Sequence, residues 1–384
     1  MCINYQCQTK LCIVFSFFVL YVSVSSNHSL LNLYHHQVTL FGQSAGGQSI
    51  SLHLTTQESE PYFQQAIIES NPFTIPYQTP SRSIDLGAAT AKILRCDADD
   101  LICLRNKSAN DVMAAGEKAG SEISLDIFGP LHLFEPWGPV IDGNDIKTNP
   151  LNAFRDGNFQ RKPMILGTLT EEGRPYIWTV FTSKPSTVEV CAFLTLLFGP
   201  TETYRIFKEY NVTSSDDLRE PSSTMTTDFV FTCSGLNATR SIASHNESKI
   251  YHYVFDHAFS FEKVWGPNYT ECYGHVCHGS ELPFVFRTIP LRNYTFTPEE
   301  ERLAESITYY WGNFAQTGDP NNNSWQQRVK SKRQYDVKEQ LHWPMYNEQS
   351  DRQGMLFQAS GNKIQSKYRD KFCQFFDHVG YTPK

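Results

Sequence analysis

A chain of 384 residues with 40% hydrophobic and 14% aromatic content is long enough for one large α/β domain and too apolar for general disorder. Its net charge of −7, with no basic cluster beyond Lys330-Ser331-Lys332-Arg333, leaves no electrostatic footprint for nucleic acid. None of the ten cysteines forms a C-x-x-C pair, so no metal site is expected.

The first 26 residues join a polar start containing Lys10 to an apolar run from Leu11 to Val24, followed by Ser25 and Ser26. That is the outline of a secretory signal peptide, and the run is shorter than the roughly 20 residues a membrane span requires. Residues 1–26 are therefore expected to be a leader, residues 27–384 the domain, and the protein secreted, with no stable membrane span. Sequons at Asn27, Asn106, Asn211, Asn237, Asn246, Asn268, Asn293 and Asn322 fit a glycoprotein on that route. Removing the leader takes Cys2, Cys7 and Cys12 with it; seven cysteines remain, so at least one is unpaired or pairs between chains.

Gln37-Val38-Thr39-Leu40-Phe41 reads as a buried parallel strand. It runs into Gly42-Gln43-Ser44-Ala45-Gly46, a G-x-S-x-G pattern, and Ile50, Leu52 and Leu54 beyond it are compatible with a helix. Strand, sharp turn and helix in that order make a nucleophile elbow, which presents the Ser44 hydroxyl. Glycines flank the serine because a Cβ there would collide with neighbouring backbone.

Further strands are expected at 65–69, 163–167, 250–255 and 355–358, spaced widely enough to require crossovers and a mostly parallel sheet. Cys96 and Cys103 bracket CDADDLIC, and Cys272 and Cys277 bracket CYGHVC; both spacings suit a local disulfide.

A serine nucleophile on such a sheet has its acid and then its base downstream. The loop after Met164-Ile165-Leu166 offers Glu171 and Glu172 before Gly173. His35, His36, His53 and His132 come too early for the base. His278, in CHGSELPFVF, and His275 remain, and position alone does not separate them.

Taken together, VTLFGQSAGG, CDADDLIC, PVIDG (139–143), the Glu-Glu-Gly loop, CHGSELPFVF, YYWGNFAQTGDPN (309–321) and HWPMY (342–346) resemble the type-B carboxylesterase and cholinesterase family, in the family's order. The resemblance implies an α/β-hydrolase fold and a serine esterase that needs no cofactor and acts on a small-molecule or lipid ester. It matches Ser44 to the nucleophile, Glu172 to the acid and His278 to the base, with the Ala45 N–H as an oxyanion donor. It pairs Cys96 with Cys103 and Cys233 with Cys373; with Cys272–Cys277 as a third bridge, Cys191 is left as the odd thiol, expected to be buried. Trp137, beside PVIDG, is a candidate for the acyl pocket, with plain core packing as its alternative.

One feature departs from the family. The family carries early strands of the sheet and a glycine-rich oxyanion loop before the elbow, whereas the first glycine here is Gly42 and the first tryptophan Trp137. An N-terminally truncated sheet, as from skipped exons, is expected, with an apolar strand edge, a feeble oxyanion hole and no aromatic choline site. A non-catalytic adhesion or structural relative is the alternative function.

Overall fold

The computed structural model describes residues 12–16, 19–23, 38–123, 130–212, 215–245, 247–322 and 340–381. Strands β1 (Cys12–Ser16) and β2 (Val19–Ser23) pair as an antiparallel ribbon. The rest of the expected leader, with Asn27 and Asn246, lies outside the described residues.

The body is a six-stranded sheet of β3 (Thr39–Gln43), β4 (Gln65–Glu69), β5 (Met164–Leu169), β6 (Ile250–Phe255), β7 (Gln353–Phe357) and β8 (Lys363–Ser366), arranged in sequence order. The first five are parallel and β8 pairs antiparallel with β7. Parallel strands need long crossovers, and helices supply them. Helix α1 (Ala45–Thr55) follows β3, and α2 (Pro80–Ile93), α3 (Leu101–Arg105), α4 (Ala109–Ile123) and α5 (Pro150–Arg155) lie between β4 and β5. Between β5 and β6 run α6 (Arg174–Val180), α7 (Thr187–Glu209), α8 (Arg219–Thr226) and α9 (Cys233–Ser244); α10 (Leu282–Phe286) and α11 (Pro298–Thr317) precede β7, and α12 (Asp370–Val379) follows β8. No helix among the described residues is long and apolar enough to cross a membrane.

The central strands are continuous apolar runs because both of their faces are buried. Ala66, Ile68, Met164, Leu166 and Ile250 point into a core with α1, α7 and α9; Ile67, Ile165, Tyr251 and Tyr253 point into the opposite core with α11. Gly167 on β5 is opposite Tyr253 on β6, and a Cβ at Gly167 would lie 2.1 Å from the Tyr253 ring, so only glycine lets that ring lie across the strand. Helix α11 is fixed at both ends. Thr297 and Glu300 form a reciprocal capping box, and Gly318 closes the C-terminus at φ 70°.

Strand β3 ends the sheet, and its Phe41 ring packs 5.2 Å from that of Phe286. Among the described residues, disulfides join Cys96 to Cys103, Cys233 to Cys373 and Cys272 to Cys277, a usage that belongs to an oxidising compartment. Cys191 corrects the expectation of a buried thiol: it is exposed on α7. Val190, Leu194 and Leu197 form the inward stripe of that helix, and one residue's rotation from Val190 carries Cys191 outward.

Cys233–Cys373 joins α9 to α12 across 140 residues, and closing so long a loop in the unfolded chain is worth about 5 kcal/mol on the chain-entropy argument. The Cys233→Ala, Cys373→Ala double variant is expected to lose about 2 to 5 kcal/mol in urea unfolding. An unchanged midpoint would show that the bridge does not constrain the unfolded chain.

Candidate active site

The site forms where β3, β5 and β6 end, at the carboxyl edge of the parallel sheet. Strand β3 stops at Gln43, and Ser44 turns the chain into α1 at φ 60°, ψ −121°, left-handed territory that a non-glycine residue occupies only under constraint. Two bonds impose it. The Ser44 N–H donates to the Glu69 carbonyl at the end of β4 (3.0 Å), and the Ser44 carbonyl accepts from the Gln48 N–H in the first turn of α1 (3.0 Å). A Cβ on Gly42 would lie 2.6 Å from the Gly46 carbonyl carbon and oxygen, so the turn closes only with glycine there. Ala45 opens α1, where backbone N–H groups have no acceptor within the helix.

The loop after β5 supplies Glu172. It is fully buried; one oxygen accepts from the Leu169 N–H (2.8 Å) and the other lies 2.5 Å from His278 Nδ1. A carboxylate there requires the proton on Nδ1 and leaves Nε2 as an acceptor. His278 Nε2 lies 3.1 Å from the Gln43 side-chain amide, a donor that suits the same tautomer. Cys272–Cys277 ends one residue before His278, and the rings of Tyr176 and Phe231 pack on its imidazole at 5.6 and 4.9 Å.

The second carboxylate and imidazole also meet. Glu171 accepts from the Val276 N–H and pairs with His275 Nδ1, both at 2.7 Å, but each side chain is about one-third exposed. Burial therefore separates the two pairs that position in the sequence left equal.

No hydrogen bond among the described residues joins Ser44 to His278, whose Nε2 faces the Gln43 amide instead. Catalytic hydrogen bonds of unliganded sites are often long and tighten with substrate. Beside the imidazole, Ile75, Phe134, Tyr176, Thr226, Val230 and Phe231 line a narrow apolar cavity with room for little more than a water molecule. Trp137 is elsewhere. It is 42% exposed, packs on Gly116 and Gly120 of α4, and donates from Nε1 to the Gly116 carbonyl (2.9 Å).

Behind Ser44, burial raises the Glu69 carboxyl to about 8, against a hydrogen bond from Trp311 Nε1 (2.9 Å) that favours its charge; the nearby Glu172 raises it further. Burial, followed by the charges of Glu69 and Glu172, likewise pushes Glu281 well above the carboxylate range. Gln43, Tyr176, Glu69 and Glu281 were missed from sequence. Three carry positional signals: Gln43 fills the first variable position of the elbow, Tyr176 lies one helical turn after Glu172, and Glu281 lies three residues after His278.

Among the described residues, no group of three or more histidine, cysteine or acidic side chains could hold a metal ion. The mostly parallel sheet with an elbow at the end of β3 defines an α/β-hydrolase fold, and it aligns with solved PNB esterase at a TM-score of 0.65 and 24% identity, over 89% of this chain and 63% of that one. Residues 35–376 match the Carboxylesterase family, to which the chain belongs. It is 30% identical to the Crystal protein of Dictyostelium discoideum over 287 residues, 74% of this chain and 51% of that protein. It is 27% identical to the acetylcholinesterase of Bungarus fasciatus over 368 residues, 90% and 56% of the two chains. The chain thus spans about half the length of the curated relatives it matches.

Proposed function

We propose that this chain carries the catalytic triad of a secreted serine esterase that hydrolyses carboxylic esters through an acyl-enzyme. The observation that carries the reading is the buried Glu172–His278 pair and the strained Ser44 elbow: an acid, a base of defined tautomer and a half-buried hydroxyl at one sheet edge. His278 Nε2 takes the Ser44 proton as Oγ attacks the ester carbonyl, and Glu172 stabilises the imidazolium that forms. The alkoxide leaves with that proton, and water hydrolyses the acyl-enzyme.

Secretion is supported by the leader pattern, the disulfides and the sequons whose asparagines are exposed, Asn106, Asn211, Asn268, Asn293 and Asn322. Asn237 is a poorer glycan acceptor, because its amide nitrogen donates to Asp377 (3.1 Å). The rival reading, a non-catalytic structural relative, draws support from the resting geometry, in which His278 Nε2 faces the Gln43 amide and not Ser44.

A fluorophosphonate probe decides between them. Covalent labelling of the purified chain at Ser44, abolished by Ser44→Ala, is expected of the esterase; a label that persists in that variant would sink the assignment.

A further inference from the structure

We propose that Glu135 is the anionic wall of the acyl site, and that this chain prefers esters whose acyl group carries an ammonium or similar cation. The proposal rests on reading Ser44, His278 and Glu172 as a triad. Two independent sets of contacts bring residues 134 and 135 to that triad. The Gln48 side-chain amide donates to a Glu135 carboxyl oxygen at 2.9 Å, and the Gln48 N–H donates to the Ser44 carbonyl, so Glu135 is fastened to the first turn of α1. Side chains on a helix lean towards its N-terminus, and Gln48 therefore leans back, with its carboxylate partner, towards the turn that begins at Ser44. From the other side, the Phe134 ring packs edge-on to Tyr176 and the Tyr176 ring edge-on to His278, each at 5.6 Å. The same two rings, Phe134 and Tyr176, line the apolar cavity beside the imidazole.

The Glu135 carboxylate has a charge and no counter-charge. It is half-buried, Gln48 is a neutral partner, and no lysine, arginine or histidine among the described residues pairs with it. An amide satisfies one oxygen and leaves the charge uncompensated; burial, against that bond, raises the carboxyl above its ordinary range. A cation on the ligand is what such a carboxylate lacks. Its place on the elbow says which part of the ester carries that cation. Gln43, the residue before Ser44, meets His278 Nε2, whereas Gln48, on the helix after Ser44, meets Glu135. The leaving alcohol takes its proton from His278, so it lies on the Gln43 side. The acyl group, which stays bonded to Ser44 Oγ, extends along the α1 side. One helical turn is about 5.4 Å, a span that a short ω-aminoacyl chain covers. The positive end of α1 repels such a chain unless an acid lies there, and Glu135 supplies it.

The test uses the whole chain and two fluorophosphonates of equal shape, one with a terminal trimethylammonium on the alkyl group that stays on phosphorus, the other with a tert-butyl group in its place. Second-order labelling of Ser44 is expected to be about fivefold faster with the cation, a preference that shrinks with added salt. The ratio of the two rates cancels any general change in activity. Glu135→Gln keeps an oxygen for Gln48 and is expected to bring the ratio to about one. Glu135→Asp keeps the charge and part of the preference, and Glu135→Lys inverts it. Equal rates in wild type, or a preference that survives in Glu135→Gln, overturn the proposal and leave the triad reading standing. So does a preference seen only when the cation is moved to the leaving group. Failure of both probes to label Ser44 in wild type overturns the triad reading itself, and this proposal with it.

Discussion

Glu69→Gln is expected to make the protein more stable than wild type at pH 8 and nearly equal to it at pH 5. Glu69 is fully buried, and its carboxyl ionises at about 8 instead of its ordinary 4.5. The folded chain therefore holds a proton between these values that the unfolded chain has released. Its contribution is fully present below about pH 4.5 and is lost as pH rises towards 8, at about 1.4 kcal/mol per pH unit for one group. Glutamine keeps an oxygen for the Trp311 N–H, which now donates over 2.9 Å, and it has no charge to bury. The groups facing Glu69 are Trp311, Glu172, Glu281 and Tyr253. Of these, the acid Glu172 raises its pKa, and among the described residues the Tyr253 hydroxyl and both Glu281 carboxyl oxygens have no hydrogen-bond partner. Urea unfolding from pH 5 to 8.5 reads the effect directly. Parallel loss of stability in wild type and Glu69→Gln would assign the proton to Glu281, with Glu281→Gln as the matching variant.

What could be read from the chain and what could not divide along a physical line. Strands β3 to β6 are apolar on both faces, and such runs are visible without knowing what packs on them. The same holds for the elbow, whose glycines are demanded by a backbone contact within five residues. Strand β8 has no such signal: Lys363-Ile364-Gln365-Ser366 is a short, half-exposed edge held by its pairing with β7. The proposed triad required the family resemblance, because Glu171–His275 and Glu172–His278 are alike in spacing and differ in burial, which is a tertiary property. Trp137 packs on α4, while the cavity by His278 is walled in part by Phe134, Tyr176 and Phe231, brought in from three separate segments. Nothing local to any of these marks it as a neighbour of the imidazole.

Glu172→Gln is expected to slow phosphonylation of Ser44 by about 10⁴-fold while the protein stays folded. The carboxylate faces two N–H groups, Leu169 N–H at 2.8 Å and His278 Nδ1–H at 2.5 Å, and an amide has only one oxygen to offer. If that oxygen faces His278, the amide NH2 meets the Leu169 N–H in a fully buried position, an unsatisfied contact worth about 1 to 3 kcal/mol. If it faces Leu169, the NH2 points at Nδ1, which must become the acceptor, and the imidazole proton moves to Nε2. That nitrogen then has no lone pair for the serine proton. The second arrangement leaves no donor facing a donor at Leu169 or at the imidazole, because the Gln43 amide beside Nε2 can turn its oxygen to the new N–H. The fold thus selects the tautomer that disables the base. Glu171→Gln is the control: its partner His275 is about one-third exposed, and solvent can replace the lost bond, so labelling is expected to change no more than a few-fold. Should the two variants show the opposite pattern, with Glu171→Gln inactive and Glu172→Gln active, His275 would be the base and Glu171 its partner.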